Sequence, residues 1–290
     1  MGEMPSAVSV VMRSYNEAHY LRGTLEQLFA QAEAPAIELI VIDSGSTDGS
    51  HEVVRAFGPA HFVVIDPYVP GVVLNQGARL ASHDWIVYLN ADATPANEHW
   101  LRELLTAAQG TPNCGAAFSR QVPRPDCWPV HALDYERCFG SETRPRESAS
   151  WEHFFSMVSC VVNRTVWAAQ RFREDLQYAE DDEWSRRLKA QGYAVAFAER
   201  SVAIHSHNYT PAQAYKRARG DALAIARAGH AGAHPGDWLR DVLVGSARDL
   251  LRDRVYCARR GCLGHLPLAA RVRYQQRLGR LHGRREGLGS

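Results

Sequence analysis

The sequence predicts an α/β protein with a doubly wound, mostly parallel sheet flanked by helices, and a C-terminal helical extension. Two observations carry this prediction. Short apolar runs rich in valine and isoleucine alternate with helical patterns up to about residue 110. Polar clusters follow three of the apolar runs, at Arg13 to Glu17, Asp43 to Ser50 and Asn90 to Thr94. Doubly wound sheets bind ligands at such strand ends.

Four apolar runs predict the first strands of the sheet. They are Ala7 to Met12, Ile37 to Ile42, Phe62 to Ile65 and Trp85 to Leu89. Between them, Leu21 and Leu25 share one helical face, and Val72 to Leu80 predicts a short helix. Pro95 suits the first turn of a further helix, whose apolar face includes Trp100.

The second half of the chain alternates less regularly. Strands are expected at Cys114 to Arg120, Ala194 to Ala198 and Val202 to Ile204, and helices at Glu180 to Gln191 and Thr210 to Ala228. Residues 121–150 indicate a loop or partly helical insertion, a candidate flap over a site. We predict one domain at 1–228, with halves 1–120 and 121–228. An amphipathic, Arg-rich extension at 229–290 follows, starting with a candidate linker, Gly229 to Gly236.

Bulk composition excludes several classes of protein. With 33 basic and 32 acidic residues, the net charge of +1 produces no overall positive field that would attract nucleic acid. The N-terminus lacks a signal-peptide pattern, and no apolar run reaches the ~20 residues that span a bilayer. The six scattered cysteines indicate reduced thiols. We therefore expect a cytoplasmic protein.

The arginine-rich end of the chain has three interpretations. Nine arginines follow Asp253, against the single acid Glu286. They can form a solvated helix face, a homodimer interface, or a peripheral contact with anionic lipid at the inner face of the membrane, worth about 1 kcal/mol per charge. The preceding helix is expected to have this apolar face: Trp238, Leu239, Val242, Leu243, Leu250 and Leu251.

Two polar motifs follow predicted strands. In DSGSTDG, an ordinary turn explains Ser46 as a helix N-cap, but it does not explain Asp43, an acid that ends a buried strand and can accept an N–H from a base. In Asn90-Ala91-Asp92, the acid is either a metal ligand or a cap for the helix expected at Pro95.

The ordered set of motifs is more specific than any one of them. SYNE, DSGSTDG, LNQGARLA, LNADATP, EDDEW and HSHNYT occur in that order. Over roughly residues 7–210 the chain resembles the family-2 inverting glycosyltransferases of GT-A fold, and most of all the bacterial rhamnosyltransferase-like branch. The resemblance implies transfer from a UDP- or dTDP-linked sugar to a hydroxyl of a glycan, glycolipid or other acceptor, in cell-surface glycan or glycolipid assembly.

The resemblance also implies a donor site. Asp43 would read the base, while Asn75 and Gly77 would approach the ribose and diphosphate. Asn75 is otherwise only a poor helix former. The implied donor-binding residues are Ser14, Tyr15, Asn16, Glu17, Asp43, Ser46, Asp48, Asn75, Gly77, Asn90, Ala91 and Asp92.

A divalent metal, manganese or magnesium, is implied on the donor diphosphate. Asp92 would hold it, because one carboxylate plus substrate phosphates can suffice. Asn90 stands where the family often has a second acid. The resemblance implies a histidine ligand here, with His205 favoured and His207 the second choice. Residues two apart in extended chain share one face. Imidazole favours manganese, but paired histidines can also be surface or core residues.

The implied catalytic base is Asp181, with Glu180 as second choice. Inverting transfer needs one base to deprotonate the acceptor hydroxyl. A run of four acids is also typical of a solvated helix start. Trp151 and Trp184 are candidate acceptor-binding residues, although core packing explains Trp184 as well. Because Asn90 removes an acid, the alternative is a non-catalytic or partner-dependent sugar-nucleotide binding protein.

Overall fold

The computed structural model describes residues 3–141, 144–151, 154–228 and 235–289. They form two compact units. The first takes its residues from 1–122, 149–176 and 180–205, and the second from 123–148, 177–179 and 206–290. Most of the expected linker, residues 229–234, lies outside the described residues. No helix of the described chain has the length and apolar character needed to cross a bilayer.

An eight-stranded sheet forms the centre of the first unit. Its strands are β1 (Ala7–Ser14), β2 (Ala36–Asp43), β3 (His61–Val64), β4 (Trp85–Asn90), β5 (Thr94–Pro95), β6 (Cys114–Val122), β7 (Ser159–Asn163) and β8 (Ala194–Ile204). The order is β3-β2-β1-β4-β7-β6-β8-β5. The first four strands in this order are parallel, whereas β7 runs antiparallel to both β4 and β6. The predicted fold class is confirmed.

Helices cover the sheet of the first unit, and the core lies between them and the strands. The helices of the described chain are α1 (Ala18–Phe29), α2 (Ser50–Ala56), α3 (Pro70–Leu80), α4 (Trp100–Gly110), α5 (Pro129–Phe139), α6 (Arg164–Ala169), α7 (Glu180–Ala190), α8 (Pro211–Arg227), α9 (Gly245–Arg260) and α10 (Leu266–Leu288). Leu25 of α1 and Trp100 of α4 pack in one buried cluster with Val10 and Val87. Strands buried on both faces explain the continuous apolar runs.

The prediction that a helix begins at Pro95 is wrong. Thr94 and Pro95 form β5, which pairs antiparallel with Ile204 and Ala203, and α4 begins only at Trp100. Proline lacks an N–H and is confined to edge strands or strand starts, and β5 lies at the edge of the sheet. A second difference is that Ala194–Ile204 is one strand, with a shift in register against β6 between Ser119 and Arg120.

The second unit is helical. Helix α8 begins at a capping box formed by Thr210 and Gln213. Helix α10 packs closely along α8, and a Cβ added at Gly283 would lie 2.2 Å from the carbonyl oxygen of Arg219. The insertion at 121–150 contains α5 and a 3-10 turn at Glu147–Ser150. The predicted division at residue 228 remains a prediction. Helices α5 and α8 belong to the same compact unit as α9 and α10.

Candidate functional site

Arg13 connects three parts of the first unit at the carboxyl end of β1. It pairs in register with Asn90 at the end of β4. Its Nε donates to Asn90 Oδ1 at 2.8 Å, and its Nη1 donates to Glu180 Oε1 at 3.2 Å and to the Tyr68 hydroxyl at 3.4 Å. The guanidinium therefore fixes Asn90 of the Asn90-Ala91-Asp92 motif and Glu180, the first acid of α7, relative to each other.

The environment of Arg13 keeps it charged. Burial opposes the charge, but Tyr68 and Glu180 outweigh it and raise the pKa of Arg13 above its ordinary value. Arg13 was not among the predicted site residues, although it begins the polar cluster after the first strand. A signal was available, because an arginine that follows five residues of a buried strand rarely lacks a partner.

Asp43 organises the loop that follows β2. Its Oδ1 accepts hydrogen bonds from the backbone N–H groups of Gly45 and Ser46 at 2.9 and 2.7 Å, and lies 2.8 Å from His51 Nε2. Its Oδ2 accepts from the Ser46 hydroxyl at 2.6 Å. Burial would raise the pKa of Asp43, but the bonds from Ser46 and His51 hold it below its ordinary value. The buried carboxylate is already well satisfied within the protein.

The SYNE and DSGSTDG loops are joined by hydrogen bonds. Asn16 accepts from the Thr47 N–H at 2.8 Å, and its own N–H donates to the Ser46 hydroxyl at 2.8 Å. Asp48 accepts from the Ala18 N–H at 2.9 Å. The predicted N-cap role of Ser46 is wrong, because α2 begins at Ser50 and Gly49 is its N-cap residue. Ser46 instead links the two loops.

Three predicted donor residues differ in exposure around these loops. Tyr15 is exposed and Glu17 is half-buried. Ser14 is buried, and its hydroxyl has no hydrogen-bond partner among the described residues. The same holds for the Ser44 hydroxyl, at the end of the neighbouring strand β2. Most buried polar groups are paired, so the carboxyl ends of β1 and β2 carry two hydroxyls with unused bonding capacity.

Asn75 and Gly77 of the LNQG motif serve packing. The Asn75 amide donates to Phe172 O and Glu174 Oε1, and its Oδ1 accepts from Trp167 Nε1 and the Phe172 N–H. All its donors and its two acceptor positions are used. A Cβ on Gly77 would lie 2.2 Å from Val11 Cγ1, so glycine lets α3 approach β1. These contacts replace the donor-binding roles expected for both residues.

Asp92 and His205 form a buried pair in the first unit. Each is 4% exposed, and Asp92 Oδ2 lies 3.4 Å from His205 Nε2. Asp92 follows β4 in the turn with Ala91, whose N–H donates to Arg13 O. His205 directly follows β8, so the sheet brings together two residues separated by more than a hundred positions.

The hydrogen bonds of His205 fit a cation between the pair. His205 Nδ1 lies 3.0 Å from Gln121 Oε1, and Gln121 Nε2 donates to the Ser156 hydroxyl at 2.8 Å. Gln121 thus presents its oxygen, which can accept a proton from Nδ1, and in that tautomer the lone pair of Nε2 faces the Asp92 carboxylate. Two facing acceptors need a proton or a metal ion between them, and a carboxylate and an imidazole are both ligands of divalent metals.

His207 lies two residues further along, in the second unit. Its ring packs against Tyr209 with the centroids 5.2 Å apart. The choice between His205 and His207 as metal ligand remains a prediction.

The four acids at the start of α7 have different partners. Glu180 is buried and bonds to Arg13, while Asp182 and Glu183 pair with Arg186 and Arg187 one helical turn on. Asp181 is half-buried, and its Oδ1 accepts from the Asp182 N–H. Ordinary helix pairing therefore explains Asp182 and Glu183.

The two candidate acceptor tryptophans differ sharply. Trp184 is fully buried, stacks on Phe172 with centroids 5.0 Å apart, and donates from Nε1 to Gln170 O at 2.7 Å. A side chain with no exposed surface packs the core, which corrects its assignment to acceptor binding. Trp151 is 43% exposed and meets Phe154 edge to face, so its ring remains accessible.

Comparisons with known proteins identify the class. Residues 9–170 match the pattern of Glycosyl transferase family 2, and the chain belongs to this family. The O-antigen chain rhamnosyltransferase WbaN of Salmonella anatum is 28% identical over 226 residues, 74% of this chain and 70% of WbaN. RfbN, an O-antigen chain rhamnosyltransferase of Salmonella typhimurium, is also 28% identical, over 72% of this chain and 69% of RfbN.

Solved structures share the fold at low identity. The mannosyltransferase PcManGT from Pyrobaculum calidifontis, solved with GDP-Man and Mn²⁺, has a TM-score of 0.61 at 20% identity, over 93% of this chain and 74% of PcManGT. The glucosyl-3-phosphoglycerate synthase from Mycobacterium tuberculosis, with Mg²⁺ and UDP, has a TM-score of 0.56 at 18% identity, over 77% of this chain and 79% of the synthase. The protein is a family-2 glycosyltransferase of GT-A fold.

Proposed function

We propose that this glycosyltransferase moves a sugar, with inversion, from a UDP- or dTDP-linked donor to an acceptor hydroxyl in cell-surface glycan or glycolipid assembly. The buried pair of Asp92 and His205 carries the proposal, because it offers a carboxylate and an imidazole at the carboxyl end of β4. The relatives WbaN and RfbN, named as O-antigen chain rhamnosyltransferases, support a role in glycan assembly.

The proposed donor site lies at the carboxyl ends of β1, β2 and β4. The buried hydroxyls of Ser14 and Ser44 support it, because a nucleotide there would meet their unused bonding capacity. Exposed Tyr15 offers a ring for stacking on a base. Asp43 would act mainly by shaping the loop, since its oxygens already accept bonds from Ser46 and Gly45.

Asp92 and His205 are proposed to hold manganese or magnesium, with His207 as a further candidate ligand. Bound there, the metal would neutralise the charge of the departing diphosphate. Asn90 cannot supply a second charged ligand, and its Oδ1 already accepts a hydrogen bond from Arg13.

Asp181 is proposed as the general base. Glu180 is less suited, because its buried carboxylate already accepts a hydrogen bond from Arg13. In the reaction, Asp181 would take the proton of the acceptor hydroxyl while the oxygen of that hydroxyl bonds to the anomeric carbon. The bond from that carbon to the diphosphate oxygen breaks, and the nucleoside diphosphate leaves. Accessible Trp151 is proposed to contact the acceptor.

The test measures nucleoside diphosphate release from UDP- and dTDP-sugars with Mn²⁺, with Mg²⁺ and with chelator. We expect turnover of at least one donor, dependent on the metal. D181N should lower kcat by roughly 10²–10⁴-fold and leave donor affinity within about twofold. D182N is the matched control, because Asp182 is one residue away and pairs with Arg186.

Near-native turnover by D181N would reject the base assignment. Donor binding without turnover by the wild type, with or without metal and across acceptor hydroxyls, would instead favour the non-catalytic or partner-dependent binder.

A further inference from the structure

Acidic and apolar side chains lie on opposite faces of the first helical stretch near the C-terminus. A π-helical segment, Trp238–Val244, leads directly into α9. The acids of this stretch face α10, where arginines bind them, and two of the acids are buried. The pairs are Asp241 with Arg284 (2.9 Å), Asp249 with Arg277 (2.5 Å) and Asp253 with Arg273 (2.8 Å). These three arginines of α10 therefore form ion pairs within the second unit.

The opposite face of this stretch exposes large apolar side chains. Of the six residues predicted to form the apolar face here, only Val242 is fully buried. Leu239, Val244 and Leu251 are each about 60% exposed. The exposed residues, which we term the apolar stripe, are Trp238, Leu239, Leu243, Val244, Leu251 and Val255. Val244, Leu251 and Val255 recur at seven- and four-residue spacing, so they share one side of the helix.

Arginines flank the apolar stripe. Arg248, Arg254 and Arg259 are exposed, and none of them pairs with a carboxylate within the described part of the chain. Beside the stripe lies a cavity of about 540 Å³, whose apolar lining includes Leu251 and Val255. Its charged lining comes from Glu136, Arg144, Arg252, Arg259 and Arg260. Three of these arginines already pair with carboxylates, Arg144 with Glu147, Arg252 with Asp249 and Arg260 with Glu136, so Arg259 is the cation of this lining that stays available.

We propose that this face docks the protein on a bilayer containing anionic phospholipid. The apolar stripe would enter the boundary between head groups and acyl chains, and the flanking arginines would bind phosphates. Charge complementarity favours lipid over a second copy of the chain. A two-fold symmetric dimer through this face would bring Arg248, Arg254 and Arg259 against their copies, and the exposed Asp237 next to Trp238 would offset only part of that charge.

The experiment is sedimentation of the full chain with vesicles of phosphatidylcholine alone and of phosphatidylcholine mixed with phosphatidylglycerol. We expect binding to the mixed vesicles and loss of that binding in high salt. The variant R248Q/R254Q/R259Q should lower the partition coefficient on the order of a hundredfold. The variant L251S/V255S should lower it at least about tenfold.

Matched controls remove the same groups from exposed sites elsewhere. R22Q/R55Q/R200Q neutralises three exposed arginines of the first unit, and V64S/L288S removes two exposed apolar side chains. Both controls should bind as the wild type does, and circular dichroism should show that all variants fold. Turnover of the donor is measured separately, without vesicles. A failure of the proposed transferase activity would therefore not change the interpretation of vesicle binding.

Several outcomes would overturn the proposal. They are no vesicle binding by the wild type, equal binding to neutral and anionic vesicles, and binding that survives both stripe and arginine substitutions. A wild-type dimer that ignores vesicles and becomes monomeric in L251S/V255S would identify a protein–protein interface instead.

Discussion

Replacing Arg13 by methionine tests the network that joins β1, β4 and α7. The change keeps an unbranched apolar side chain but removes the donors to Asn90, Glu180 and Tyr68. Glu180, with a side chain only 10% exposed, then loses its charged partner. Breaking a buried pair in this way costs about 3–5 kcal/mol. We therefore expect R13M to lower the free energy of unfolding by that amount in urea denaturation.

A double-mutant cycle isolates the ion pair from the other contacts. E180Q removes the charge that R13M would leave unpaired, so the double variant should be more stable than the sum of the two single effects predicts. The expected coupling is about 1.5–3 kcal/mol, as for hydrogen bonds to charged groups. The control cycle uses Arg55 and Glu52, an exposed pair 4.0 Å apart, where at most about 1 kcal/mol is expected.

A coupling for Arg13 and Glu180 no larger than that of the exposed pair would refute the reasoning. It would mean that the buried guanidinium is held by its neutral partners alone.

Three further predictions concern the metal, helix packing and pH. D92A should weaken binding of a nucleoside diphosphate by roughly 10–100-fold in Mn²⁺ and little in chelator, measured by titration calorimetry; equal weakening in both would exclude a metal role for Asp92. G77A should cost about 1–3 kcal/mol of unfolding free energy, because its Cβ would strike Val11, whereas G23A, with open space in α1, should cost nothing. The lowered pKa of Asp43 stabilises the folded state above the ordinary Asp pKa of about 3.9, and this contribution is lost as pH falls through the folded pKa. D43N should therefore be less stable at pH 7 and show a smaller loss of stability from pH 5 to 2, as unfolding curves across that range will show.

Several features of the site could be predicted only in part from the sequence. The acid of the Asn90-Ala91-Asp92 motif and a distant histidine were expected to meet, and Asp92 and His205 do lie together in the first unit. The roles of Asn75 and Gly77 were not predictable, because a buried amide or glycine looks the same in sequence whether it touches substrate or packing neighbours. For Trp184 the sequence offered both core packing and acceptor binding, and the structure places it in the core. Trp167 and Phe172, which bond to Asn75, lie more than ninety residues from it along the chain.

The sequence by itself determined the sheet and the family. Apolar runs that end in polar clusters require buried parallel strands, and the order of the motifs identified a glycosyltransferase before any coordinates. Tertiary structure decided which residues became partners, because pairing depends on distances between segments far apart in the chain. Arg13 meets Glu180 across 167 positions, and Pro95 joins a strand instead of starting a helix. It also decided which apolar face of the C-terminal helices stays exposed, since α10 binds the acidic face of α9 and leaves the apolar stripe outward.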